Sequence, residues 1–359
     1  MTATTLRTPQ PARHPAPTAR ATTLAYLLFE RPDLEEAERF LNDFGLRTVE
    51  KTDATIYLRA LDTAPWCYRI TRAEQARFVG MGFTVGTVEE LGALSRLPGA
   101  AAPEPLDGPG GGERVRLTDP GGLSIEVVHG RVAVAPLPRR APLPANHDST
   151  LPRINSTQRP PLQPPDILRL GHVALEAANY QAVCGWYTQH LGMIPSDVQL
   201  LPDGSPAVSF LRLDLGDTPA DHHTLALAQT FRAGFSHCAF EVVDIDAIGV
   251  GQRVLRERGW RHAWGLGRHV LGSQLFDYWS DAWGAHHEHY CDGDVFTATA
   301  PTGYHPFSIA AMAQWGQAMP ASFVRPRLTL GNLRTLVRNL RTVPDLSIRK
   351  LVTIARHLG

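Results

Sequence analysis

The chain has 359 residues, more than one ordinary domain of about 100–200 residues holds and enough for two. Lys plus Arg equals Asp plus Glu at 35 each, so no chain-wide field draws in nucleic acid or an acidic membrane. At 43% hydrophobic the chain can bury a substantial core, and no apolar run approaches the ~18 residues that a membrane span needs. Residues 1–20 carry Arg and Pro without acid and without an apolar signal core, which reads as a disordered tail. Residues 24–29 then predict a strand. Leu34, Ala37, Phe40, Leu41 and Phe44 predict a helix stopped by Gly45. Residues 136–165 hold nine prolines and no sustained hydrophobic period, so they read as an extended linker. Beyond it, residues 167–175 predict a second opening strand. Asn179 is a candidate N-cap, and Val183, Trp186, Tyr187 and Leu191 predict a helix ending at Gly192.

The two halves therefore follow one plan. Two further landmarks keep register: the strand-to-helix runs that begin at Phe83 and Phe240, and the D-x-x-G-x-x-x-E spacing shared by Asp119 to Glu126 and Asp281 to Glu288. The organisation that follows is a tail (1–20), an N-terminal module (21–130), a Pro-rich linker (131–166), a C-terminal module (167–320) and a basic tail (321–359). In the last of these, residues 325–359 contain eight Arg or Lys against the single acid Asp345. Short amphipathic helices broken at Pro344 fit it. A surface helix or subunit contact is the plain reading, with an acidic partner or a membrane surface as the alternative.

Ten of the 15 histidines fall between positions 172 and 289. Strands send alternate side chains to opposite faces, so His172, His237 and Glu288 are candidates to face one cavity from three strands. Two imidazoles and a carboxylate hold non-haem Fe(II) on one face and leave its other positions open. Each residue has a plainer reading, since a lone strand histidine is usually a hydrogen-bonded structural group. Ungapped matching of the first copy sets Ala25 near the His172 position and Gly80 opposite His237, with only Glu126 persisting. His286 and Tyr290 share the strand face of Glu288 and are candidates to border a substrate pocket. His287 and His289 point the other way and, with His190 and His262, are expected at the surface. Trp260, Trp264, Trp279 and Trp283 are candidates for an aromatic wall or for core filling. Four dispersed cysteines without a CxxC pair suit a reducing cytoplasm.

Four segments together resemble the type I extradiol ring-cleavage dioxygenases of the vicinal oxygen chelate superfamily. They are Leu170-Gly-His-Val-Ala-Leu, Asp221-His-His-Thr-Leu-Ala-Leu-Ala, Ser236-His-Cys-Ala-Phe-Glu-Val, and the run from Gly267 through His269 and Tyr278 to Glu288-His-Tyr. The resemblance spans about residues 21–320. It implies an α+β fold of two tandem modules, each made of paired βαβββ units forming a half-open barrel. It makes His172, His237 and Glu288 ligands of Fe(II), or of Mn(II), which the same donors accept. It also makes His223, with His222 as the alternative, and His269 and Tyr278 catalytic; His222, with the strand-face candidates His286 and Tyr290, is a candidate neighbour of the substrate. The activity implied is extradiol cleavage of a substituted catechol by O₂ to a 2-hydroxymuconic semialdehyde-type product, in a homo-oligomer serving aromatic catabolism. A metal-dependent glyoxalase- or epimerase-like lyase or isomerase is one alternative. A ligand-sequestering protein of the bleomycin-resistance type, needing no metal, is the other.

Overall fold

A computed structural model describes residues 10–320, 323 and 329–358. The N-terminal half contains β1 (Ala21–Arg31), α1 (Leu34–Phe44), β2 (Arg47–Lys51), β3 (Thr55–Arg59), β4 (Tyr68–Arg72), β5 (Arg77–Val85), α2 (Val88–Leu94), β6 (Glu104–Pro105), β7 (Glu113–Thr118) and β8 (Ser124–His129). The second half repeats this with β9 (Ile167–Ala177), α3 (Tyr180–Leu191), β10 (Ile194–Leu200), β11 (Pro206–Arg212), β12 (Ala220–Asp221), β13 (Leu225–Gln229), β14 (Gly234–Val242), α4 (Ile245–Glu257), β15 (Arg261–Arg268), β16 (Leu275–Ser280) and β17 (His286–Cys291). Short strands β18 (Val295–Phe296), β19 (Gly303–Pro306) and β20 (Trp315–Gly316) and helices α5 (Leu330–Thr342) and α6 (Ile348–Leu358) complete the chain.

Each half curls into one large sheet, ordered β2-β3-β4-β1-β5-β8-β7-β6 and β19-β10-β11-β13-β9-β14-β17-β16-β15-β20. Within each, two βαβββ units meet where their first strands pair antiparallel, β1 with β5 and β9 with β14. The α+β, paired-unit architecture expected from the sequence is the one observed. Local chemistry sets the helix boundaries. Asp33 accepts from the backbone N–H groups of Glu35 and Glu36 at the start of α1, and Gly45 closes it at φ 119°. Thr87 and Glu90 form a capping box on α2. Asn179 makes no side-chain cap on α3, contrary to expectation; its amide donates instead to the Pro120 carbonyl at 2.6 Å.

Residues 1–9 of the expected tail, and 321, 322, 324–328 and 359 of the basic tail, lie outside the described residues. Residues 10–20 differ from the expected disorder. Gln10 is buried against Cys184 and Tyr180, Arg13 pairs with Asp214 at 2.7 Å, and the Thr18 N–H donates to Gln189 O. The segment satisfies polar groups on and near α3, a tertiary demand that its own composition does not reveal.

One continuous apolar cluster runs through both halves. His287 and His289 are fully buried in this seam, not at the surface. The Tyr68 hydroxyl and His287 Nε2 lie 3.1 Å apart, while His289 stacks on Phe44 and donates from Nε2 to its carbonyl at 2.7 Å. Burial lowers both pKa values to about 4, so both rings are neutral. Arg31 and Asp281 form a buried ion pair across the same seam at 2.7 Å. Of the other two histidines expected at the surface, His190 and His262 are half-buried, and His262 bonds Asp277 at 2.7 Å.

Candidate metal centre and its cavity

Three adjacent strands supply the donors. His172 on β9 and Glu288 on β17 both pair with Ala239 of β14, and His237 lies two residues before Ala239. Alternation therefore turns all three side chains to one face. His172 Nε2 stands 3.2 Å and His237 Nε2 3.5 Å from Glu288 Oε2, and the three donor atoms lie within 4.8 Å of one another. Neighbouring donors on one face of a six-coordinate ion with bonds of about 2.1 Å stand about 3 Å apart. Glu288 is fully buried, and neither of its oxygens has a hydrogen-bond partner. An ionised carboxylate in that state is costly unless a cation accompanies it. Burial opposes its ionisation, but the imidazoles of His172, His269 and His237 outweigh this and keep its carboxyl below the usual range. Burial lowers the His237 pKa to about 3, so its ring is in the neutral form that binds metal. The donor set fits a single Fe(II) or Mn(II).

The N-terminal module has a different group at each corresponding position. Tyr26 pairs with Gly82, and Gly82 with Glu126, as His172 pairs with Ala239 and Ala239 with Glu288. Tyr26, not Ala25, is thus the counterpart of His172, and Gly80 that of His237. The Tyr26 hydroxyl donates to Glu126 at 2.6 Å, and Arg114 closes on the same carboxylate at 3.4 Å. Protein groups there satisfy the carboxylate that β17 leaves open.

A cavity of about 180 Å³ opens beside the three donors, lined by His172 and His237 together with His223, His269 and Tyr278. The His223 ring lies 4.1 Å from that of His172. Burial, reinforced by the surrounding imidazoles, holds its pKa well below the ordinary value. His269 Nδ1 meets the Met312 carbonyl at 2.7 Å and so carries the proton there. Its Nε2 then receives the Tyr278 hydroxyl at 3.0 Å. Burial, aided by Glu288, raises the Tyr278 pKa and keeps the phenol protonated.

The three expected substrate neighbours lie outside this lining. His222 is fully buried behind His223. His286 stacks on the outer side of Phe323 at 4.6 Å. Tyr290 lies beside His172 at 5.3 Å, in space left by Gly171, where a Cβ would come 2.1 Å from its hydroxyl oxygen. Of the four tryptophans, only Trp264 lines the cavity. The far wall comes from beyond β18: Phe307, Met312, Met319, Phe323 and Ile354 of α6. No sequence motif marked these residues, because their apolar character is indistinguishable from core. Asp197 and His305, which meet behind His222, were also missed. The one available signal was a carboxylate in the middle of the apolar strand β10.

A family model described as the Glyoxalase/Bleomycin resistance protein/Dioxygenase superfamily matches residues 169–285. Metapyrocatechase 2 of Cupriavidus necator is 30% identical over 331 residues, covering 87% of this chain and 96% of its own length. Among solved structures, a Mn(II)-bound glyoxalase from Novosphingobium aromaticivorans superposes with a TM-score of 0.72 at 22% identity, over 87% of this chain and 97% of its own. An extradiol ring-cleaving dioxygenase from B. fuscum superposes with a TM-score of 0.69 at 20% identity, over 89% and 86%.

Proposed function

The chain belongs to the extradiol dioxygenases of the glyoxalase/bleomycin resistance/dioxygenase (vicinal oxygen chelate) superfamily, and from that premise we propose that it opens a catechol carrying an apolar substituent. Dioxygen is the second substrate, and both its atoms enter a 2-hydroxymuconic semialdehyde-type product. His172, His237 and Glu288 would hold the Fe(II), or Mn(II) in its place. The observation that carries this reading is a buried carboxylate, with no hydrogen bond at either oxygen, facing two imidazoles that line a cavity.

When bound, the metal supplies a Lewis-acidic centre with positions open to two catechol oxygens and to dioxygen. His223 is the general base. Its ring is neutral and lines the cavity beside His172, so it can take a proton from a catechol hydroxyl, hold it, and return it later in the reaction. The Tyr278 hydroxyl donates to His269 Nε2 at 3.0 Å, and both line the cavity as a polar edge facing the substrate hydroxyls. Leu175, Val208, Phe307, Met319, Phe323 and Ile354 supply apolar surface for the ring substituent and exclude water from it. Among the described residues, no Arg or Lys lines the cavity to neutralise a substrate carboxylate. Four buried free thiols suit a reducing cytoplasm. The exposed apolar side chains of α5 and α6, Leu330, Leu333 and Ile348 among them, suit a homo-oligomer contact.

The test is anaerobic reconstitution with ferrous iron followed by addition of oxygen and a catechol panel. One O₂ consumed per ring with a yellow product is expected, and alkyl or aryl catechols should exceed carboxylated ones in kcat/KM by at least about tenfold, a floor well below the cost of burying one unpaired charge. Absence of oxygen uptake across the panel would overturn the reaction, and a preference for carboxylated catechols would overturn the substrate class.

A further inference from the structure

Behind the cavity wall, four polar side chains are linked in series. His223 Nδ1 meets His222 Nδ1 at 2.9 Å, His222 Nε2 meets Asp197 Oδ2 at 2.7 Å, and Asp197 Oδ1 meets His305 Nε2 at 2.7 Å. His222 is fully buried, and its backbone N–H is tied to the Asp294 carbonyl at 2.8 Å. The rings of Phe210 and Phe296 flank it at 5.3 and 5.8 Å. Gly272, at φ 84°, leaves the space that its imidazole fills, since a Cβ there would lie 3.0 Å from Nδ1. The ring is thus held in one orientation, and the open question is which nitrogens carry protons.

Hydrogen-bond chemistry decides it. A carboxylate only accepts, so Asp197 requires Nε2–H on His222; the opposite tautomer would press a lone pair against a carboxylate oxygen at 2.7 Å. His305, with its side chain 40% exposed, engages the other oxygen and keeps the carboxylate oriented. For the neutral ring, whose single proton is on Nε2, His222 offers a lone pair at Nδ1. The His223 nitrogen facing it must then be the donor, and the remaining nitrogen of His223 has no proton.

We propose that Asp197 and His222 are positioning residues that fix His223 in its Nδ1–H tautomer, so that an unprotonated Nε2 is available to the substrate hydroxyl. This rests on the reading of His223 as the general base. Asp197 does not touch the substrate; it acts through His222, and on the rate of the proton transfer more than on substrate binding. Loss of the correct histidine tautomer lowers turnover by about 10⁴ in the Ser-His-Asp triad. Here the carboxylate is one ring farther away, and a loss of about 100-fold is expected.

The test reads the tautomer directly. In metal-free protein labelled with ¹⁵N in the histidine rings, the His223 signals are assigned by their loss in His223→Gln. A protonated Nδ1 and an unprotonated Nε2 are expected in the wild type. Asp197→Asn offers His222 an amide and should reverse or mix the His223 tautomer, while kcat falls about 100-fold and KM for catechol stays within about threefold. Asp197→Glu should restore most of both. A wild-type His223 protonated at Nε2 overturns the proposal, as does Asp197→Asn with tautomer and kcat unchanged. If Asp197→Asn does not fold, the wild-type spectrum alone decides. The expected tautomer in a protein that opens no catechol would overturn the reaction and leave the positioning in place.

Discussion

Glu288 concentrates the electrostatic cost of this site. Without a cation, neither of its buried oxygens is hydrogen-bonded, and its charge is offset by the imidazoles of His172 and His237 at 3.2 and 3.5 Å, where the N-terminal module uses Tyr26 and Arg114. Glu288→Gln replaces the charge with a neutral amide of the same shape. Because the neighbouring imidazoles hold the Glu288 carboxyl below its usual range, the metal-free variant is expected to be less stable than metal-free wild type, by about 1–3 kcal/mol, a loss read from the urea midpoint in chelator. The same variant should lose stoichiometric iron and at least about 10³-fold in turnover. A metal-free Glu288→Gln more stable than wild type would mean that the imidazoles do not offset the buried charge. At this scale the three donors were legible from the sequence, because strand alternation and residue type together restrict what can share a face. The counterpart of His172 was not. Helix α3 has 12 residues and α1 has 11, so matching their stops at Gly192 and Gly45 slips β9 against β1 by one residue, and a one-residue slip turns every side chain to the other face.

Strand β17 works on both faces. Glu288 faces His172 and His237 while His287 and His289, one residue to either side, look into the seam with the N-terminal half. The sequence placed these two histidines opposite Glu288 correctly and assigned them to solvent, because nothing local to β17 announces that a second sheet covers its back. Their burial has a pH consequence. In the unfolded chain each titrates near 6.5, whereas in the fold each is depressed to about 4, so between those values the unfolded state binds more protons. Stability from this source is fully present above pH 6.5 and is lost as pH falls through 4, on the order of 3 kcal/mol for each ring. Urea midpoints of metal-free protein measured from pH 7.5 to 4 should fall accordingly. The double variant His287→Phe/His289→Phe should start from a lower midpoint, since the Tyr68 hydroxyl and the Phe44 carbonyl lose partners, and should decline less steeply. An equal slope in the variant would place the acid sensitivity elsewhere.

Across the whole molecule, the N-terminal half acts as a wall against which β17 is set. The repeat was readable because turns and helix stops recur at matched intervals, but the joint between the copies was not, since it is made by residues far apart in sequence. Arg31 of β1 and Asp281, in the turn before β17, are its polar centre. The guanidinium donates from Nε and Nη2 to one carboxylate oxygen, while the other oxygen accepts the backbone N–H groups of Trp283 and Ala285. Both side chains are 3% exposed, so removing one partner leaves a buried charge, a change that typically costs about 3–5 kcal/mol. Arg31→Met keeps the length of the side chain and removes its charge. The apolar cluster runs unbroken through both halves, and this variant should therefore melt in one calorimetric transition at a markedly lower temperature, both sheets going together. Two resolved transitions, with the metal-bound half unaffected by Arg31→Met, would show that the N-terminal half folds apart and that β17 does not depend on it.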